Sequence, residues 1–491
     1  MLIRFHNLGK IKATTLDLRP LTVIIGPNNS NKTYIAYSLY GLWQAQQPHP
    51  VPFDDIDYEL LSDDSVLVAY NDNFTRAIQG YISEALYDFQ DDLSSFYQDS
   101  SGKLFSDTFF EVDTSQGDIA DALQYLSGKT AQLFGSDFKF FFDGQVSIIS
   151  SPPKVGDQKR NIDSGSPTKP NPRFLVTVLV LCLLRGLFPE PFLLPAERNA
   201  FIITYKMLAN RRYKALREGI RQALGSRESA QRQLDLLREG GEVRYPQPVE
   251  DFLDFLTDVE SAKPPNTRSP FAKLADTIES SIQNTNKTRY RPTALGGKEI
   301  IIQIEKGLDI DLYNASSSIK QLAPLLLYLR YRAKENDLLI IDEPEMNLHP
   351  ESQAKLLEVL AMLVNHGVNV LLTTHSPYLM AHLNNLAQAD GTSQAVRNRQ
   401  AKSLYLKHPD SLLRMDQVSA YEMKDNQLQS LKDPDYGIRW DTLSDVSADL
   451  QQRYFAIYEE GHAKERTGNG RKAAIPKDGQ SASRQAGPDQ P

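Results

Sequence analysis

Two stretches from opposite ends of the chain constrain it more than any other feature. Near the start, the apolar run Leu21-Thr22-Val23-Ile24-Ile25 leads into Gly26-Pro27-Asn28-Asn29-Ser30-Asn31-Lys32-Thr33, and a helical pattern follows toward Gln47. Far downstream, Leu338-Leu339-Ile340-Ile341 delivers Asp342 and Glu343, and Asn369 to Thr374 delivers His375. Strand, polar loop, helix is the order a phosphate-binding loop requires. In such a loop, successive backbone N–H groups and the helix N-terminus converge on phosphates, Lys neutralises charge, and a Ser or Thr hydroxyl binds Mg²⁺. Lys32 and Thr33 stand in those positions. The usual glycine is replaced by Asn31, one of the few residues that enters the left-handed region at modest cost.

Four apolar residues followed by two carboxylates is a costly arrangement unless a metal or substrate meets the acids at the strand end. Asp342 is expected to anchor Mg²⁺ and Glu343 to polarise the attacking water; the plain alternative is two solvated acids at a strand terminus. A lone His is more often structural than catalytic, but His375 follows a buried-type strand and precedes Ser376-Pro377, which places it at the same edge. A further cluster, Ser316-Ser317-Ser318, precedes a helix running from about Ser318 to Arg332. Its hydroxyls and free helix-end N–H groups suit a phosphate, and simple capping is the competing reading. The fold class that follows is α/β, with one sheet joining both ends of the chain.

Composition narrows the surroundings. The 491 residues are 41% hydrophobic, enough for a sizeable core, and the net charge of −8 argues against wholesale attraction to nucleic acid or anionic lipid. The single cysteine, Cys182, excludes an internal disulfide and fits a reducing compartment, so a cytoplasmic location is expected. No run reaches the roughly 18 apolar residues of a spanning helix, and no signal-peptide pattern opens the chain.

The expected organisation is a head domain split between residues 1–47 and 284–460, an inserted region over 48–283, mixed and mainly helical, and a disordered tail over 461–491. Within the insertion, an Asp-Gly turn at Asp143-Gly144 predicts a hairpin, and residues 150–172, rich in Pro, Ser and Gly, predict a flexible loop. Helical periodicity marks Phe74 to Tyr97. Tyr205 to Arg238 reads as helical and is the most basic stretch, either a solvated face or a contact for nucleic acid or an acidic partner. A hairpin is predicted at Lys306-Gly307 and another at Asp425-Asn426, and a last helix over Thr442 to Glu459.

Taken in order, GPNNSNKT, ASSSIKQL, LLIIDEPEMNLHP and TTHSP resemble the ABC-type ATPases of the RecF, structural-maintenance and overcoming-lysogenisation group. Leu193-Leu194-Pro195-Ala196-Glu197-Arg198 is similar to a segment of the small prokaryotic AAA proteins in this group, among them the ATPase subunits of the Septu and PARIS antiphage systems. The resemblance implies an ABC-type P-loop head, a mixed sheet with N-terminal antiparallel strands flanked by helices, that sandwiches two ATP molecules between two subunits. It implies nucleotide contacts from Gly26, Pro27, Asn28, Asn29, Ser30, Asn31, Lys32 and Thr33, with Thr33 and Asp342 as Mg²⁺ ligands and Glu343 and His375 as catalytic residues. Ser316, Ser317 and Ser318 match the signature that reaches the partner subunit's nucleotide, and Asn347 to Pro350 the loop that links the two sites. The signature usually carries Gly where Ser318 stands, so with Asn31 the resemblance implies slow turnover.

The function expected is an ATPase, acting as a homodimer or higher even oligomer, that controls a separate effector such as a nuclease in antiphage defence. OLD-type relatives carry a Toprim nuclease after the His strand; the roughly 115 residues that follow His375 show no convincing acidic metal set. Two alternatives stay open: a RecF-like DNA repair ATPase, with the basic stretch on nucleic acid, and a non-hydrolysing scaffold locked by ATP.

Overall fold

The computed structural model describes residues 1–45, 55–62, 65–133, 136–150, 171–209, 245–263, 265–292, 298–387, 393–433, 437–439 and 449–458. Most of the loop expected over 150–172, the basic stretch beyond residue 209, the start of the last helix and the tail lie outside them. Two compact units divide the chain, Met1–Arg439 and Trp440–Pro491.

The first unit is built on a six-stranded sheet in the order Pro191–Leu194, Leu338–Asp342, Asn369–Thr374, Leu21–Ile25, Val418–Lys424, Gln427–Ser430. The first five run parallel, and the last returns antiparallel through Asp425 and Asn426, whose φ angles of 50° and 58° suit a primed turn. Parallel strands covered on both faces read as near-continuous apolar runs. Leu338, Leu339 and Ile340 are accordingly 0% exposed, and each buried aliphatic side chain contributes roughly 1.5–3 kcal/mol. The register pairs Asp342 with Thr373 and Ile25 with Thr374, so the phosphate loop, the two acids and His375 leave the sheet at one carboxyl edge. In open α/β sheets that edge is where ligands bind.

A second, antiparallel sheet carries the N-terminus: Ile11–Asp17, Leu2–Leu8 and Phe109–Asp113 in that order. It matches the N-terminal antiparallel strands that the resemblance implies. Ile11–Asp17, without a clear alternation of its own, is a strand by its antiparallel pairing with Leu2–Leu8.

The region expected as an insertion contributes to both sheets, through Phe109–Asp113 and Pro191–Leu194, and holds a five-stranded antiparallel sheet of its own. There, Ser136–Phe142 and Val146–Ser150 form the hairpin predicted at Asp143-Gly144. Helices Asp72–Asp91 and Leu93–Tyr97 occupy the stretch with helical periodicity. The hairpin at Lys306-Gly307 forms from Lys298–Glu305 and Leu308–Asp311, with Gly307 at φ 87°.

In the second unit, residues 449–458 are helical, and Leu450, Tyr454, Phe455 and Ile457 are exposed. Among the described residues, no helix is long and apolar enough to cross a membrane.

Candidate functional site

The loop between Ile25 and the helix Lys32–Gln44 is shaped by residues that tolerate unusual backbone. Asn29 has φ 60°, and Asn31, the helix N-cap, has φ 68° and ψ 17°, in the left-handed region where Asn is the best substitute for glycine. Gly26 is required for another reason: a Cβ there would lie 2.9 Å from the Met423 Cβ, on the neighbouring strand. The Lys32 ammonium, 5% exposed, curls back over the loop, donating to the carbonyls of Gly26 at 3.0 Å and Pro27 at 2.9 Å. It is 3.4 Å from the Ser30 Oγ and 3.3 Å from the His375 Nε2. Burial lowers its pKa, against the attraction of Glu343, Asp342 and Glu345.

Asp342 is 3% exposed, and burial raises its pKa. Two hydroxyls offset that penalty: Thr33 Oγ1 donates to Oδ2 at 3.1 Å, and Thr373 donates to Oδ1. A lysine, a hydroxyl and a carboxylate from both ends of the chain thus share one edge.

Glu343 sits at φ 49°, strained for a non-glycine residue, with its N–H bonded to the Thr373 carbonyl at 3.0 Å. Its Oε1 lies 2.9 Å from the His375 Nε2, and that bond holds the carboxyl below its ordinary range. The same imidazole nitrogen faces both Glu343 and Lys32. As a donor it serves the carboxylate; as an acceptor it serves the amine.

Two residues that the sequence reading left without a role complete the edge. Glu345 Oε1 accepts from the His375 N–H at 2.6 Å and from Thr374 Oγ1 at 2.7 Å. The Arg198 guanidinium, 2% exposed, reaches the carbonyls of Asp342 at 2.7 Å and Glu343 at 3.0 Å. Burial lowers its pKa to about 10, opposed by the neighbouring acids, and it stays charged at neutral pH. A third acid inside the run Asp342-Glu343-Pro344-Glu345 was a signal for Glu345. For Arg198 the signals were a cation just past a buried strand and its place at the end of the Leu193–Arg198 segment, to which the resemblance attached no role.

Among the described residues, the three serines bond to none of these groups. Ser316 caps the helix Ser317–Tyr331 by accepting from the Ile319 N–H at 3.4 Å, and its Oγ is 3.0 Å from that of Ser318. Ser316 and Ser317 are exposed. Asn347 is exposed with φ 60°, and His349 caps the helix Pro350–Asn365 through a bond from the Glu351 N–H at 3.3 Å.

The donor set fits a magnesium nucleotide. Mg²⁺ in such sites takes one or two protein oxygens and draws the rest from phosphates and water. Thr33 Oγ1 and Asp342 Oδ2, which adjoin one another, are the pair that would hold it. Among the described residues, no group of three or more His, Cys, Asp or Glu forms an all-protein cage. The buried Asn31 Nδ2 has no hydrogen-bond partner among the described residues, leaving a donor in the loop unsatisfied.

The family described as "AAA domain, putative AbiEii toxin, Type IV TA system" matches residues 21–381, a span that includes the phosphate loop, both acids and His375. No curated protein matches the chain. Among solved structures, it is similar to an Smc head bound to the C-terminal winged-helix domain of ScpA, at 10% identity over 88% of this chain and 97% of that one, with a TM-score of 0.34. It is also similar to an Smc head with an extended coiled coil, bound to the C-terminal domain of ScpA from Pyrococcus furiosus. That likeness has 10% identity over 92% of this chain and 98% of that one, with a TM-score of 0.32.

Proposed function

The chain belongs to this AAA-domain family, and on that premise we propose that it is an ABC-type ATPase whose nucleotide-driven pairing controls a separate effector in antiphage defence. One observation carries the reading: Thr33 Oγ1 lies 3.1 Å from Asp342 Oδ2 while Lys32, His375 and Glu343 form a contiguous polar chain beside them. Lys32 would exchange its loop carbonyls for the β- and γ-phosphates, and Thr33 and Asp342 would hold Mg²⁺. Mg²⁺ supplies charge neutralisation on the phosphates. Glu343, kept ionised by its bond to His375, orients the attacking water. His375 reports the state of the γ-phosphate through the nitrogen it shares between Glu343 and Lys32.

The exposure of Ser316 and Ser317 supports the pairing of two copies. The Ser316 hydroxyl bonds to Ser318 and the Ile319 N–H, not to the chain's own phosphate loop, as a surface waiting for a second copy's nucleotide would. The toxin–antitoxin association in the family's description accords with a defence role. The contrast with a scaffold that binds ATP without turnover rests on one assay: phosphate release by the wild type and by Glu343→Gln. Wild-type turnover that the substitution abolishes supports the ATPase. No turnover in the wild type, with ATP-dependent assembly intact, supports the scaffold.

A further inference from the structure

One buried cation lies beside the acids and bonds to carbonyl oxygens from three segments. Arg198 Nη1 donates to Pro195 O at 2.9 Å and Asp342 O at 2.7 Å, Nη2 to Glu343 O at 3.0 Å, and Nε to Gln321 O at 3.2 Å. With the Gln321 amide turned so that its oxygen faces the guanidinium, it accepts from Nη2 at 2.6 Å. Gln321 is 0% exposed and lies in the first turns of the helix Ser317–Tyr331, directly after the serines. Glu343 O is the carbonyl of the residue held at φ 49°.

Desolvating a guanidinium is expensive, and packing alone would be met more cheaply by an apolar side chain. Only the planar, five-donor fork of Arg reaches acceptors on three separate segments at once. Those segments are the end of the Pro191–Leu194 strand, the end of the acid-bearing strand, and the serine-capped helix.

We propose that Arg198 is a positioning residue that locks the backbone carrying Asp342 and Glu343 to the helix carrying Ser316, Ser317 and Ser318. The acids serve the chain's own nucleotide, and the serines serve the other copy's. The lock therefore makes each copy's two half-sites shift as one body and couples the two nucleotides. This rests on the paired-ATPase reading above.

The test compares Arg198→Lys and Gln321→Met with the wild type in the full chain, by phosphate release, binding of a fluorescent ATP analogue and thermal melting. Lys keeps the charge but cannot bridge three segments. Arg198→Lys should keep analogue affinity within about threefold while kcat falls about tenfold or more, a split that loss of folding would not produce. Gln321→Met leaves the bonds to Asp342 and Glu343 and weakens only the tie to the helix, so kcat should change little. In both variants the Hill coefficient for ATP should fall toward one. Wild-type kcat and cooperativity in both variants would overturn the lock. So would a fall in kcat matched by equal losses of affinity and melting temperature. Should Arg198→Lys not fold, Gln321→Met decides by its Hill coefficient alone. Should the wild type not hydrolyse ATP, the ATPase reading fails by itself, and cooperativity of analogue binding still tests the lock.

Discussion

At the carboxyl edge of the central sheet, Asp342 takes hydroxyl bonds from Thr33 and Thr373, Glu343 is met by His375, and Glu345 takes the backbone of His375. At the start of the helix Ser317–Tyr331, the hydroxyls of Ser316 and Ser318 face one another, and Ser316 and Ser317 are open to solvent. The first region assembles its polar groups against each other inside the protein, where burial makes an unpartnered charge costly. In the second, Ser316 caps the helix, and the exposed Ser316 and Ser317 face water, which satisfies serine at little cost. A polar cluster that the fold partners internally is shaped by its own chain; one left to solvent is free to serve another molecule.

The sharpest way to break this contrast is Glu343→Gln. With the shape of the edge kept and its charge removed, kcat should fall on the order of 10²–10³-fold while ATP-dependent pairing persists, measured by phosphate release and size-exclusion chromatography. Unchanged hydrolysis would remove Glu343 from its role. Next in size, Lys32→Ala should weaken ATP binding by about 100-fold in calorimetry, since it removes an amine that bonds the loop carbonyls directly. Affinity within a few-fold of the wild type would contradict the loop assignment.

Ser317→Arg probes the solvent-facing region. Monomer affinity for ATP should stay within about threefold while the ATP-induced pair disappears on sizing, because only the other copy is obstructed. A pair of unaltered size would refute the contact in trans. The smallest effect concerns pH. The His375 bond holds Glu343 below its ordinary carboxyl range, so the ionised form is favoured in the folded state, and that contribution is lost as pH falls through the lowered pKa. His375→Leu removes the bond, and the acid limb of the residual kcat–pH profile should move upward. An unmoved limb would show that another group sets it.

Much of this was legible before any coordinates. The run Leu338 to Ile341 reads as a buried strand because parallel strands have two covered faces, and Asp425-Asn426 reads as a tight turn because both residues tolerate positive φ. That Lys32, Thr33, Asp342 and Glu343 meet at one edge was readable because phosphate and metal demand those groups in that order. Ile11–Asp17 escaped notice because Lys12, Thr14 and Thr15 blur its alternation, and its partner strand, not its own composition, makes it a strand. The place of Pro191–Leu194 in the central sheet depends on pairing with a strand about 147 residues later, which local pattern does not encode. Arg198 stood inside a segment that the resemblance marked, but its role was hidden for a related reason. Its acceptors are main-chain carbonyls, identical for every residue type, so no sequence motif announces them.

The strand that carries the phosphate loop lies between Asn369–Thr374 and Val418–Lys424, both from the far end of the chain. During synthesis at about 5–20 residues per second, Leu21–Ile25 emerges roughly 17–70 seconds before either neighbour exists. An apolar segment without its flanking strands is prone to aggregate, so the ribosome-bound nascent chain is a natural client for holding chaperones. Translation speed through the codons for residues 338–424 then sets when the protein first acquires the capacity to grip a triphosphate.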